Sequence, residues 1–225
     1  MGKQVLITGA TGMVGSLVLE LCLESNEVSR VTSLVRRPSG VTHEKLNDVV
    51  IHDFMHLDEG AGYFSSVDVV YYCLGVYTGA VDREEFRKIT VDYPKTLARL
   101  VVAGNPGATF CLLSGAGADR TEKSRMMFAA DKGAIENKLS NMGFAAFHAF
   151  RPGYIYPVVP RNEPGFSYRL MRRLYPVLKL FGPGFSITST DLAAAMFAVG
   201  MEGWDREVLE NRDILRVIEG DTSRR

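Results

Sequence analysis

Apolar and polar positions alternate in blocks that change period along the chain. Val5–Thr8, Val31–Val35, Val49–Ile51, Val67–Leu74, Thr109–Leu113 and Ala145–Phe150 are short runs rich in β-branched and aromatic residues, and each predicts a strand. "VDVVYYCL", Val67–Leu74, is almost continuously apolar, as a strand covered on both faces should be. Between these runs the period lengthens to that of a helix. Val14–Leu23, Glu84–Ala103 and Arg125–Leu139 read as helices, with a weaker helical stretch at Glu59–Phe64. Strand and helix in turn predict a parallel sheet with helices on both faces, an α/β doubly wound fold.

Three glycines stand between the first strand and the first helix, in Gly9-Ala10-Thr11-Gly12-Met13-Val14-Gly15. A strand-to-helix loop at the C-terminal edge of a parallel sheet is an anion site. The helix start offers free N–H groups, and the helix dipole favours negative charge. Glycine permits the tight turn and the close approach of a pyrophosphate. Gly9, Thr11, Gly12, Met13, Val14 and Gly15 are therefore read as cofactor contacts, with an ordinary tight turn as the alternative. Gly12 is expected where a Cβ would crowd the pyrophosphate, and Gly15 where the helix packs close to the sheet.

The second strand ends in Arg36 and Arg37, with Arg36 standing 21 residues past Gly15. An NAD-preferring fold carries an acid at this place for the ribose 2′-hydroxyl. Two guanidinium groups suit a 2′-phosphate instead, which predicts NADP as cofactor and makes NAD the lesser choice. Two solvated surface arginines are the alternative.

Composition narrows the function classes. The chain has 225 residues, 26 basic and 26 acidic, and no basic excess for a nucleic-acid surface. Three scattered cysteines, Cys22, Cys73 and Cys111, fit small buried hydrophobes better than a disulfide framework. The first residues lead directly into a strand, and no apolar run is long enough for an integral membrane segment. A cytoplasmic location is the expectation, with a protein partner or homo-oligomer left open. His52 and His56 stand four apart near Asp53 and Asp58, but in a strand-then-loop segment that does not join them on one face.

Past Pro152 the texture changes. "RPGYIYPVVPRNEPG" predicts irregular chain. Phe166, Leu170, Leu174, Leu178 and Phe181 then recur almost every turn, as in a lid helix or, alternatively, a membrane-surface helix. Ser189 or Thr190 is expected to cap the next helix. Residues 1–225 are read as one domain, with 153–225 forming a small C-terminal helical lobe over the substrate side.

The G-x-x-G-x-x-G loop, "YYCLGVYTGAVDREEFRKITVDYPKTLARL", "FCLLSGAGAD", "FRPGYIYP" and the late "VLEN" resemble the short-chain dehydrogenase/reductase superfamily, a Rossmann fold. The likeness is strongest to its atypical and extended members, in particular the Tat-interacting-protein oxidoreductase branch. The resemblance implies that Asp53 and the backbone of Phe54 meet the adenine, although Asp53 alone in a loop can equally form a turn. It implies that Leu74 and Gly75 pass beside the adenosine. It also implies that Arg151, Pro152, Gly153 and Tyr154 run beside the nicotinamide, that Ser114 is the catalytic serine, and that Lys132 holds the ribose.

The family's helix usually reads Tyr-x-x-x-Lys, which sets phenol and ammonium on one face. Here Phe128 occupies the tyrosine position. General acid help is worth about a hundred- to ten-thousand-fold in rate. The expected function is therefore an NADP(H)-dependent oxidoreductase with altered proton donation, or a redox-inactive NADP(H)-binding sensor. An isomerase or epimerase is a weaker reading, since that chemistry also wants the tyrosine. Tyr77, Tyr154 and Tyr156 are the substitute donors to consider. Glu136, one turn past Lys132, is its expected ion partner.

Overall fold

A computed structural model describes residues 2–58, 60, 62–76, 80–158 and 184–220. Tyr77, the predicted lid segment and the polar tail lie outside these residues. The main sheet is built from β1 (Lys3–Thr8), β2 (Val28–Val35), β3 (Leu46–Val50), β4 (Val69–Tyr72), β5 (Thr109–Leu113), β6 (Ala146–Arg151) and β9 (Val208–Glu210). Its seven strands lie in the order β3-β2-β1-β4-β5-β6-β9, and each neighbouring pair is parallel. Strand order reverses between β1 and β4, which opens a crevice at their carboxyl ends.

Two apolar layers cover the sheet. On one face α1 (Gly15–Glu24) and α5 (Ser189–Glu202) meet in a core containing Val18, Cys22, Tyr71, Leu192 and Met196. On the other, α3 (Tyr93–Gly104) and α4 (Met127–Ser140) pack with Leu6, Val70, Phe110 and Leu139. All four residues of β4 are buried, as a strand covered on both sides requires. This is the doubly wound architecture expected from the alternating pattern.

Several boundaries differ for local reasons. The long helix expected from Glu84 is α2 (Arg83–Arg87), a π-helical turn at Lys88–Asp92, then α3. Asp82 caps α2 by accepting a bond from the Glu85 N–H at 2.9 Å. The α5 cap is Thr188, not Ser189 or Thr190, with its hydroxyl accepting from the Asp191 N–H at 3.0 Å. The proline-rich stretch after Arg151 is not wholly irregular. Tyr154–Tyr156 forms β7, which gains its ladder from the distant β8 (Ser186–Thr188). From the C-terminal segment, α5 packs in the core shared with α1, and β9 extends the main sheet beside β6. A last helix, α6 (Asn211–Ile218), follows β9 directly.

Candidate functional site

The glycine loop crosses the switch point. Gly9 adopts φ of +71°, and a Cβ there would lie 2.6 Å from the Cys73 carbonyl after β4. That position demands glycine for its dihedral and for its closeness to the neighbouring strand. The Gly12 N–H donates to the Gly9 carbonyl at 2.8 Å and closes the turn. A Cβ on Gly12 would meet that same carbonyl oxygen at 2.9 Å. The loop's own backbone thus already crowds a side chain at Gly12. A Cβ on Gly15 would run into the Gly9 carbonyl and touch the Cys73 side chain, so α1 starts hard against the loop.

This loop fits a pyrophosphate. Val14 gives α1 no side-chain cap, and the first turn holds no acid. By contrast, Thr188 caps α5, and Glu210 with Asp213 forms a capping box on α6. The N–H groups at the start of α1 have no competing carboxylate at the place where an anion would sit. Arg36 and Arg37 follow buried Val35 at the β2 end, and both are exposed. Neither forms an ion pair with a described residue.

At the next strand end Asp53 serves its own turn. It accepts from the Met55 N–H at 2.9 Å and meets the His56 Nδ1 at 2.7 Å. The Met55 bond and His56 hold its carboxyl below the ordinary value. Phe54 is buried and stacks on Tyr93 with ring centroids 5.4 Å apart. Leu74 is half-buried and Gly75 exposed beyond β4. Among the described residues His52 joins no such pair, and no group of three His, Cys, Asp or Glu could hold a metal.

The third part of the site lies at the ends of β5 and β6. Ser114 is buried at the end of β5, and Lys132 reaches it from α4. The Lys132 ammonium donates to the Ser114 carbonyl at 2.6 Å and runs past Gly115, where a Cβ would stand 3.2 Å from Nζ. Burial pushes the Lys132 value down to about 8, against an opposing pull from Glu136. Phe128 lies one turn earlier on the same helix and is half-buried.

The partner of Glu136 differs from expectation. Its carboxylate is wholly buried and accepts the Ser114 hydroxyl at 2.5 Å. Arg151 donates to it through Nε at 3.0 Å and Nη2 at 2.5 Å, and Arg120 donates through Nε at 3.0 Å. Burial alone would raise the Glu136 value, but the bonds from Arg151, Ser114 and Arg120 outweigh it and hold the carboxyl below its ordinary range. Arg151 also meets Glu210 at 2.9 Å, and Arg120 meets Glu207 at 2.6 Å. The Arg151 guanidinium is therefore occupied by two carboxylates.

Asn211 secures the chain after Arg151. Its side-chain oxygen accepts the Gly153 N–H at 2.8 Å, and its amide nitrogen donates to the Ser186 carbonyl at 3.0 Å. Tyr154 and Tyr156 are half-buried in β7, just beyond this pin. Asp131, buried and next to Lys132 in sequence, takes a two-pronged bond from Arg83 and a bond from Arg87 at 2.7 Å. These contacts tie α2 to α4. The roles of Glu136, Arg120 and Asn211 were not readable from sequence, although "FRPG" and "VLEN" had marked the segments that Asn211 joins.

Comparison with known proteins agrees with this fold. The NAD dependent epimerase/dehydratase family pattern matches residues 5–127. Protein HTATIP2 of Rattus norvegicus is 31% identical over 220 residues, covering 96% of this chain and 89% of the relative. The mitochondrial protein fmp52 of Aspergillus niger is 30% identical over 219 residues, covering 91% and 89%. Among solved structures, the Bordetella bronchiseptica enzyme WbmH in complex with NAD+ superposes with a TM-score of 0.65 at 20% identity, over 92% of this chain and 74% of that one. A short chain dehydrogenase from Burkholderia cenocepacia in complex with NADP gives a TM-score of 0.66 at 16% identity, over 99% and 94%. At these identities the two structures speak for the fold alone. No helix among the described residues is long and apolar enough to cross a membrane.

Proposed function

The chain belongs to the NAD dependent epimerase/dehydratase family, and we propose that it binds NADP(H) in a short-chain-dehydrogenase site whose usual proton donor is missing. The reading rests on one observation. Position 128 is Phe, and the Ser114 hydroxyl is donated to Glu136, so neither place the family uses for a hydroxyl has a free proton to give. Lys132 keeps its position over the Ser114 carbonyl.

The glycine loop and the start of α1 take the pyrophosphate, and Arg36 with Arg37 takes the 2′-phosphate. Asp53 and the Phe54 backbone meet the adenine, and Leu74 and Gly75 flank the adenosine. Lys132 holds the nicotinamide ribose, and the backbone from Arg151 to Tyr154 passes beside the nicotinamide. The nicotinamide, when bound, would supply hydride transfer to a carbonyl carbon or from an alcohol. The proton must then come from water or from a side chain other than tyrosine at 128. Three free cysteines suit a reducing compartment such as the cytosol.

A redox-inactive sensor is the second reading, and the Ser114–Glu136 bond favours it, since it leaves a site able to hold the nucleotide without assisting proton transfer. Titration with NADPH, then an assay of NADPH oxidation against a carbonyl panel, separates the two. Binding with slow oxidation supports the oxidoreductase, and binding with none supports the sensor. An absence of NADPH binding contradicts both.

A further inference from the structure

Beyond the nucleotide site, the carboxyl ends of β5, β6 and β9 border a second opening. It is a cleft of about 420 Å³. Ala116, two residues past Ser114, lines it, and the N–H of Ala116 is held by the Pro152 carbonyl at 3.0 Å. Phe185, Arg212 and Arg216 line it as well. The cleft thus lies along the same sheet edge as Ser114 and Lys132.

Its charges are not evenly matched. Arg151 is engaged by Glu136 and Glu210. Arg216 meets Asp213 at 3.3 Å, and Arg206 meets the same carboxylate at 3.0 Å. Arg212 is exposed and makes no hydrogen bond or ion pair with a described residue. Its Nε lies 3.4 Å from the place a Gly184 Cβ would occupy, so the guanidinium lies along bare backbone. Beside it, Phe185 leaves 57% of its surface in solvent. A large aromatic surface next to an uncompensated guanidinium, in a concave setting, is the composition of a ligand site.

We propose that this cleft binds an organic monocarboxylate with a planar apolar body. The Arg212 fork matches a carboxylate in two parallel bonds. Phe185 offers a face for the apolar body. One negative charge is preferred to two, because Glu210 and Asp213 line the same cleft and would repel a phosphate dianion. The assignment of this ligand as the compound that meets the nicotinamide rests on the proposed function. The binding itself does not require the cofactor.

Fluorine NMR titration of the full-length chain tests the cleft directly. The probes are para-fluorobenzoate, its uncharged analogue para-fluorobenzamide, and para-fluorophenyl phosphate. Benzoate should bind about ten- to a hundredfold tighter than the amide, as a charge-assisted bond provides, and should also outbind the phosphate ester. Arg212→Gln should remove the benzoate preference, Arg212→Lys should keep part of it, and Arg206→Gln should leave it intact. Equal binding of benzoate and amide overturns the proposal. So does a preference that survives Arg212→Gln, a phosphate ester that binds tighter than benzoate, or no benzoate binding up to about 1 mM. NADPH titration of the same samples separates the two claims. In the wild type, no carboxylate preference with intact NADPH binding overturns the cleft alone, and no NADPH binding with an intact preference overturns the nucleotide reading alone.

Discussion

Ser114 donates its hydroxyl proton to Glu136 across 2.5 Å, inside a pocket where the carboxylate has no contact with solvent. The bond commits the one hydroxyl at the end of β5 to an internal partner. The same carboxylate holds Arg120 and Arg151, so the chemistry at Ser114 and the packing of three chain segments depend on one side chain.

Glu136→Gln should therefore unfold more easily. It removes the charge that compensates two guanidinium groups, and breaking one side of a buried ion pair costs about 3–5 kcal/mol. Urea unfolding should show a lower midpoint with an unchanged slope. The folded Glu136 value lies below its ordinary one, so its contribution is present above the ordinary carboxylate range and is lost as pH falls through the lower folded value. The difference between wild type and variant should shrink in acid. A midpoint equal to wild type at neutral pH would show that the arginines find other partners.

That network also marks where the sequence stops being legible. The strand runs around β1, β4 and β5 declare themselves, because covered strands need unbroken apolar segments. The helix rule pairs Lys132 with Glu136 from their spacing of four. Arg151 wins that carboxylate through the parallel pairing of β5 and β6, a relationship that no local pattern encodes. α5 is apolar on nearly every side, so periodicity does not say which surface it covers. β9 has three residues, too few to show alternation. The missing tyrosine, by contrast, is visible in the sequence at once, since Phe128 stands in a fixed relation to Lys132.

Gly15→Ala should damage both stability and nucleotide binding. Its Cβ would drive into the Gly9 carbonyl, which belongs to backbone and cannot swing aside. Overpacking of this kind costs about 1–3 kcal/mol. Thermal unfolding and NADPH titration should both shift. A variant with normal NADPH affinity would show that the loop can move without loss of its anion site.

NADPH affinity should depend on pH through Lys132. Its value in the folded chain is about 8, so the ammonium is present at neutral pH and lost as pH rises through that value. Affinity should fall above pH of about 8 in the wild type and stay level over the same range in Lys132→Arg. The unliganded chain should behave in the opposite sense. Between about 8 and the ordinary lysine value of 10.5 the unfolded chain carries a proton that the folded chain lacks, so stability from this group rises with pH. A flat affinity profile in the wild type would remove Lys132 from the ribose.

Phe128→Tyr should create or raise carbonyl reduction with NADPH by up to about a hundred- to ten-thousand-fold, the range of general acid catalysis. NADPH affinity should change little. The gain should vanish in a Lys132→Ala background, where no ammonium favours the phenolate. A native chain that already reduces a carbonyl at about 1–1,000 per second would contradict the missing-donor reading.

The central claim is that the loop after β1 and the arginines after β2 together hold NADP(H). The most direct measurement is a fluorescence titration with NADPH and NADH of the wild type and of Arg36→Ala. The wild type should prefer NADPH. Loss of one charge-assisted contact should weaken NADPH binding by about ten- to a hundredfold and leave NADH binding nearly unchanged. Equal affinity for the two nucleotides in the wild type, or equal losses in the variant, would contradict the assignment.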